Sequence, residues 1–564
     1  MDARTESSSA PSGLRKAKLY EHLAEAFRAE GVTRLFTLLG DANMHWAITL
    51  GELGVKLYHV RHEHCACAMA TSYASATGDV GVASVTCGPG LTQLMTALPA
   101  AVRASIPLVV FAGESPIGAA WYNQYIDHAP FVRATGATYI AAHDPSQMFN
   151  LVRRAFLLAR QTRQPVVIGV PFDLQQREIE LPAYTNSLSV MPQGGAAQPD
   201  PDAIARAVAL IQSSQKIVVL GGRGAKLSGA RAECEALADA CGAYLAATLP
   251  VRGMFNGSPY EIGIAGGFSA DATRKAFSEA DLVIAVGARL TYHTAENGKL
   301  FPQARVLQID INPLGEQHGR TPADLYISAD AGAGARALAH AVRSAGYKPS
   351  GWRTPELHKE LISSPPNRNQ FPPDGNAADP RDVIAKLDAV LPKTWHIVNS
   401  SGHCSYFSAH MHGRDMSRFH TIREFGAIGN GISYAMGVAA AYPDEPIVMI
   451  DGDGGTLMHI QELETVKRHG MRILFIVLND GAYGSEIHKL RSEGVDDGPA
   501  IFGRGDIGRI ARGFDLIGHK VDDIRQLPDL FAEFQREKTA ALWDITISAN
   551  VVSPALPKHH KGLR

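Results

Sequence analysis

The sequence predicts an α/β protein built from three doubly wound, mostly parallel sheets. Three observations carry that prediction. A length of 564 residues suits about three domains of ordinary size. Val/Ile-rich runs that end in Gly or Asp alternate with stretches of helical period, the pattern of βαβ units. Two Pro/Gly/Ser-rich segments, 175–201 and 347–380, interrupt the alternation and divide the chain into domains at about 15–180, 200–345 and 375–555.

In the first domain Leu19 to Glu30 reads as an amphipathic helix, and RLFTLLG, GVASVTCG, PLVVFAGE and PVVIGVPFD read as strands. Glu63 opens a helix rich in small residues (Ala66, Ala68, Ala70), where a carboxylate favours the positive end of the dipole. The second domain repeats the pattern with KIVVLGGRGA, a helix through Ala230–Cys241, DLVIAVGARL and RVLQIDINP. GGRGA is a nucleotide-loop candidate, although glycine-rich strand ends are common to such sheets. The third domain opens with TWHIVNSSGH and closes with ALWDITIS. The tail VVSPALPKHHKGLR is basic and reads as a solvated end, with folding over a neighbouring site as the alternative.

Residues 449–486 organise the third domain. PIVMI stops at Asp451-Gly452-Asp453-Gly454-Gly455, a Gly-rich turn, and one helix through Leu457, Ile460, Leu463 and Lys467 runs to a stop at Gly470 before the strand RILFIVLN. This βαβ unit brings Asp453 and the Asn479-Asp480-Gly481 loop to one carboxyl edge of the sheet, where α/β proteins bind ligands. Two carboxylates and a loop carbonyl make an oxygen set for Mg²⁺, and the glycines let backbone N–H groups approach an anion. A metal-diphosphate clamp is the chemistry expected.

Composition narrows the function. A net charge of −2 excludes a strong electrostatic attraction to nucleic acid or a membrane surface. No run of 18 apolar residues suggests a membrane span. The N-terminal MDARTESSSAPSGLRK has no apolar core, so it reads as a polar leader and not a signal peptide. Six sparse cysteines without paired zinc spacing suit a reduced, cytoplasmic protein.

Two motif sets carry a resemblance over nearly the whole chain, from about residue 15 to 550. GDG, 24 residues and then Asn479-Asp480 resembles the thiamine diphosphate (ThDP) signature, with Asp480 in place of its second Asn. His62-Glu63, Thr77-Gly78 and Thr86-Cys87-Gly88-Pro89-Gly90 resemble the pyrimidine-binding domain of the acetolactate synthase and pyruvate decarboxylase family. The resemblance implies pyrimidine-binding, central and diphosphate-binding domains in that order. It implies Asp453, Asp480 and the Ala482 carbonyl as metal ligands. Gly402, His403, Ile428, Gly452, Gly454, Gly455 and Tyr483 are the implied cofactor contacts, Ile428 being the apolar support under the thiazolium. Glu63 is implied as the carboxylate that activates the aminopyrimidine, donated by one chain to a clamp on another in a homodimer or homotetramer.

For the substrate the residues point two ways. Asp41 in Gly40-Asp41-Ala42-Asn43, His128 and Glu486 resemble the acids and histidine of 2-keto acid decarboxylases, and His45 and His488 are further candidates. Gln124, VPFDLQQ, SGHCSYFSAH and, in the central domain, GARLTYHTAENGKLF and LQIDINP resemble acetolactate synthases, which implies FAD or ADP in that domain. The lysine that follows their F-Q-E segment is absent here, and their arginine for a second keto acid is not evident. The expected activity is decarboxylation with carboligation of a 2-keto acid. Simple decarboxylation and ring-opening diketone hydrolysis are the alternatives, and a non-catalytic scaffold is disfavoured by the presence of Glu63, Asp453 and Ile428.

Overall fold

The computed structural model describes residues 13–192, 194–312 and 321–556. Most of the expected N-terminal leader and the His559-His560 end of the tail lie outside the described residues. The chain forms three six-stranded parallel sheets with helices packed on their faces. Burial on both faces explains the unbroken apolar runs: every residue of Pro165–Pro171 and of Ile473–Asn479 is buried.

The first sheet contains Arg34–Thr37, Lys56–His59, Gly81–Val85, Leu108–Glu114, Thr138–Ala141 and Pro165–Pro171. Counted in chain order, its strands lie side by side as second, first, third, fourth, sixth, fifth. The third sheet, His396–Asn399, Phe419–Thr421, Ile447–Gly452, Ile473–Asn479, Ile517–Val521 and Ala541–Thr546, has the same order. Each therefore reverses direction between its first and third strands, and a crevice opens at that switch point. The central sheet, Ile217–Gly221, Tyr244–Ala247, Glu261–Ile264, Leu282–Val286, Arg305–Asp310 and Leu325–Ser328, runs third, second, first, fourth, fifth, sixth, the order of dinucleotide-binding sheets.

The helices Glu63–Thr77 and Gly431–Ala441 join the first and third domains face to face. Small residues let them approach. A Cβ on Gly437 would lie 2.3 Å from the Met69 carbonyl oxygen and closer still to Ser72.

Three expectations are corrected. The segment 175–201 is not only a linker: Glu178–Leu181 pairs antiparallel with Arg15–Lys18, and a short helix, Ser187–Val190, follows. The segment 347–380 carries the helix Glu356–Ser363, anchored by buried Leu361. The single helix after Asp451 is two, Asp453–Met458 and Glu462–Arg468. The break falls at His459, whose Nδ1 pairs with the Gly429 carbonyl at 2.8 Å, and the first helix begins at Asp453 itself, so DGDGG is a helix start more than a turn.

Candidate active site

The crevice of the third sheet opens into a cavity of about 790 Å³ whose opposite wall is the central domain. Asp453 enters it as the first residue of its helix, directly after the extended Gly452. The Gly481 amide donates to Asp453 Oδ2 at 2.9 Å, closing the two strand ends into one clamp. Asn479 anchors the second end, donating to Asp544 Oδ1 at 2.8 Å. Asp480 Oδ1 accepts from the Ala482 amide at 3.2 Å. The Gly481 and Tyr483 carbonyls each accept two amide donors, while the Ala482 carbonyl between them accepts none among the described residues.

Burial raises the pKa of both Asp453 and Asp480, and the repulsion between their carboxylates adds to it at Asp453. Two carboxyls forced together in this way favour a proton or a cation between them. With the free Ala482 carbonyl they form an oxygen donor set suited to a hard divalent ion. Among the described residues no group of three or more His, Cys, Asp or Glu side chains is arranged to hold a metal, so further ligands would come from backbone or bound ligand.

The cradle around the clamp requires glycine. A Cβ on Gly454 would meet the Tyr483 ring at 2.9 Å, and one on Gly484 would meet Asp480 Oδ2 at 2.5 Å. Ser401, which lines the cavity, has a buried Oγ with no partner among the described residues, an unspent donor beside the clamp. The residues present thus fit a diphosphate and its metal.

His403, buried beside Asp480, is held neutral by its burial. Its Nε2 accepts from the Ser553 amide at 3.0 Å, which puts the ring proton on Nδ1. Ser553, Ala555 and Leu556 line the cavity. The first residues of the tail therefore close over this chain's own cavity, a correction to the solvated end expected. Ile428 lines the same cavity between Gly426 and Gly429, both at positive φ, with Gly402 beside it. Tyr483 and Gly455 complete this side, and Glu486 stands at the rim, paired with Lys489 at 3.1 Å. His488 packs on His403 with ring centroids 4.7 Å apart.

The other predicted residues gather elsewhere. Glu63 is the first residue of its helix, half-buried, and does not line the cavity. Asp41, Cys87 and Gln124 lie together at the switch point of the first sheet. Asp41 accepts from the Tyr122 hydroxyl at 3.4 Å, and Cys87 Sγ contacts Gln124 Oε1 at 3.2 Å. His128 is buried, and its Nε2 accepts from the Gly88 amide at 3.2 Å, so its imidazole braces this turn. His45 pairs with Gln176 at 3.2 Å. The two groups of predicted residues thus lie at equivalent switch points of the first and third sheets.

Sequence reasoning missed Arg423 and Phe268. Arg423 lies in the cavity wall, bonded to Ser405 Oγ and stacked over the Phe268 ring at 4.5 Å. Burial lowers it to about 10, which leaves it charged at neutral pH. Its position five residues before Ile428 in the same loop was the available signal. In GGRGA the glycines serve packing: a Cβ on Gly222 would lie 2.3 Å from the Gly287 carbonyl oxygen, and Arg223 reaches out to Glu424.

Comparison with known proteins agrees with this architecture. Residues 17–130 match the N-terminal TPP binding domain of thiamine pyrophosphate enzymes, 204–338 the central domain, and 400–545 the C-terminal TPP binding domain. The chain is 30% identical to the acetolactate synthase of Arthrospira platensis over 483 residues, covering 82% of both proteins. It is 30% identical to the chloroplastic acetolactate synthase 2 of Nicotiana tabacum over 82% of this chain and 70% of that one. It is 29% identical to the acetolactate synthase large subunit of Parasynechococcus marenigrum over 93% and 86%. With its three sheets in the family's order and its clamp at the switch point of the third, the chain is a thiamine diphosphate-dependent enzyme and belongs to the acetolactate synthase family.

Proposed function

We propose that this enzyme is of the acetolactate synthase type: it uses ThDP and Mg²⁺, takes a 2-keto acid, releases CO₂ and joins the remaining fragment to a second carbonyl compound. The observation that carries the reading is Arg423, a cation with no carboxylate within ion-pair distance among the described residues, in the same wall as Asp453, Asp480 and Ile428. A keto acid is an anion, and a guanidinium matches its carboxylate in a bidentate fork. This arginine would do the work of the one not evident in the sequence.

When bound, ThDP supplies a carbon nucleophile and an electron sink for decarboxylation. The chain's residues do the rest. Asp453, Asp480 and the Ala482 carbonyl would hold Mg²⁺, and Gly402, His403, Gly452, Gly454, Gly455 and Tyr483 would surround the diphosphate. Ile428 would support the cofactor from below. Glu63 would hold a proton at N1′ of the pyrimidine, and its absence from the lining of this chain's own cavity supports a homodimer or homotetramer with sites shared between chains as the working unit. Asp41, Gln124 and Glu486 would face substrate, with His128 positioning their turn.

The strand order of the central sheet and the extension of the cavity along Thr291–Glu296 support FAD or ADP there; visible flavin absorbance of the purified protein distinguishes the two. The six cysteines, all free and buried, support a cytoplasmic setting, and no helix among the described residues is long and apolar enough to cross a membrane.

Simple decarboxylation is the second reading, favoured by the Asp41 carboxylate and by Glu486 at the rim. Product analysis by NMR after incubation of the ThDP/Mg²⁺-loaded protein with pyruvate separates them: acetolactate supports the proposal, acetaldehyde as sole product supports the second reading. No turnover of pyruvate directs the search to larger keto acids and cyclic diketones.

A further inference from the structure

A second cavity, of about 300 Å³, lies where the edge strand Glu261–Ile264 of the central sheet, the helix Glu356–Ser363 and the loop after Ser408 meet. One chain segment separates it from the clamp cavity. Leu249 and Pro250 face the clamp, and Arg252 and Gly253 face this second space. Gly253 makes the wall tight: at φ +82° it approaches the Arg414 carbonyl so closely that a Cβ would stand 2.2 Å from the oxygen.

Much of the lining is aliphatic, including Ile264, Leu361 and Ile362. Among its polar lining residues Arg252 stands apart. It is 7% exposed, its Nε donates to the Ala409 carbonyl, and its terminal nitrogens have no hydrogen-bond partner and no carboxylate within 4 Å among the described residues. The Phe419 ring lies 5.1 Å from its Cζ, a face contact that does not satisfy the N–H edge. The neighbouring cations are committed, since Arg414 and Lys393 both pair with Asp388. Burial holds His410 and His412 neutral, and His410 Nε2 is buried without a partner. Glu261 stands in the wall beyond ion-pair distance of Arg252, and burial raises its carboxyl.

A buried guanidinium whose N–H edge faces a cavity is costly unless an anion answers it. We propose that this cavity is a second ligand site for a small aliphatic carboxylate, with the carboxylate on the terminal nitrogens of Arg252 and the hydrocarbon against Ile264, Leu361 and Ile362. The site is separate from the one that takes the keto acid.

Isovalerate, which has a carboxylate and no keto group, is the probe. Calorimetric titration of the ThDP/Mg²⁺-loaded full chain is expected to register binding that survives in Arg423→Met and weakens about tenfold or more in Arg252→Met, the loss expected for a charged hydrogen bond. No binding to the wild type, or binding unchanged by Arg252→Met, overturns the proposal and leaves Glu261 as the long-range partner of Arg252. If Arg252→Met does not fold, diffraction from wild-type crystals soaked in isovalerate decides. Density at Arg252 supports the site, and density confined to the clamp cavity, or none, refutes it.

Discussion

The amide of Gly481 donates to the carboxylate of Asp453 across 2.9 Å, so the ends of two neighbouring strands share one anionic centre before any ligand arrives. Its second carboxylate is Asp480, and the proposed ion answers both. Replacing Asp453 with Ala should remove a ligand while the Gly481 loop stays anchored through Asn479. Cofactor affinity in the presence of Mg²⁺, read by quenching of tryptophan fluorescence, should fall by more than about 100-fold, beyond the loss typical of outer-shell partners. Unchanged affinity would exclude Asp453 from the metal site.

Ile428 tests a different part of the account. It stands in the cavity wall between two glycines at positive φ. Ile428→Ala should lower kcat about 100-fold, the cost of misplacing reacting groups by roughly an ångström, while cofactor affinity changes far less. Equal losses in both would mean that Ile428 merely binds.

The contact of Gly437 with Ser72 and Met69 holds the Glu63 helix against the third domain. Gly437→Ala should destabilise the protein by about 1–3 kcal/mol, the usual range for overpacking, seen as a lower midpoint in thermal unfolding. A neutral result would mean that the two helices can separate without loss.

Acid should weaken the same junction. His64 pairs with Asn430 Oδ1 at 2.5 Å and stacks on His459, with His62 close by, and burial depresses its pKa to about 4. Below about pH 6.5 the unfolded chain binds a proton there that the folded chain refuses, so stability is full above that pH and is lost as the pH falls toward 4. The loss from this one group is on the order of 3 kcal/mol. His64→Gln, which keeps a donor for Asn430, should flatten the dependence of the melting temperature on pH over this window.

The legible part of the fold was its centre. The eleven strands that stood out in the sequence are apolar runs buried between two neighbours. Within the three six-stranded sheets, the seven that did not are all six sheet edges, among them Lys56–His59 and Ile517–Val521, together with Tyr244–Ala247. An edge strand is short and half-covered, so its residues need not be apolar and its signal fades. The meeting of Asp453 with the Asn479–Gly481 loop was legible because a Gly-rich turn after one strand and a polar loop after its neighbour share one sheet edge. Arg423 and Arg252 were not, because what matters about each is the lack of a carboxylate partner among the described residues, and pairing is a property of the folded chain. The break at His459 was hidden for the same reason: its helical period is intact, and a long-range bond to Gly429 ends the helix.

The most direct test concerns Glu63 and Asp453, which the account assigns to one active site made by two chains. Glu63→Gln and Asp453→Ala enzymes should each lose about 100-fold or more of their activity, as expected for a proton-handling group and a metal ligand. Co-expressed, they should recover about a quarter of wild-type activity, because half of randomly paired dimers carry one site with both native residues. Activity that stays at the level of the single variants would contradict the account and would require Glu63 and Asp453 to act within the same chain.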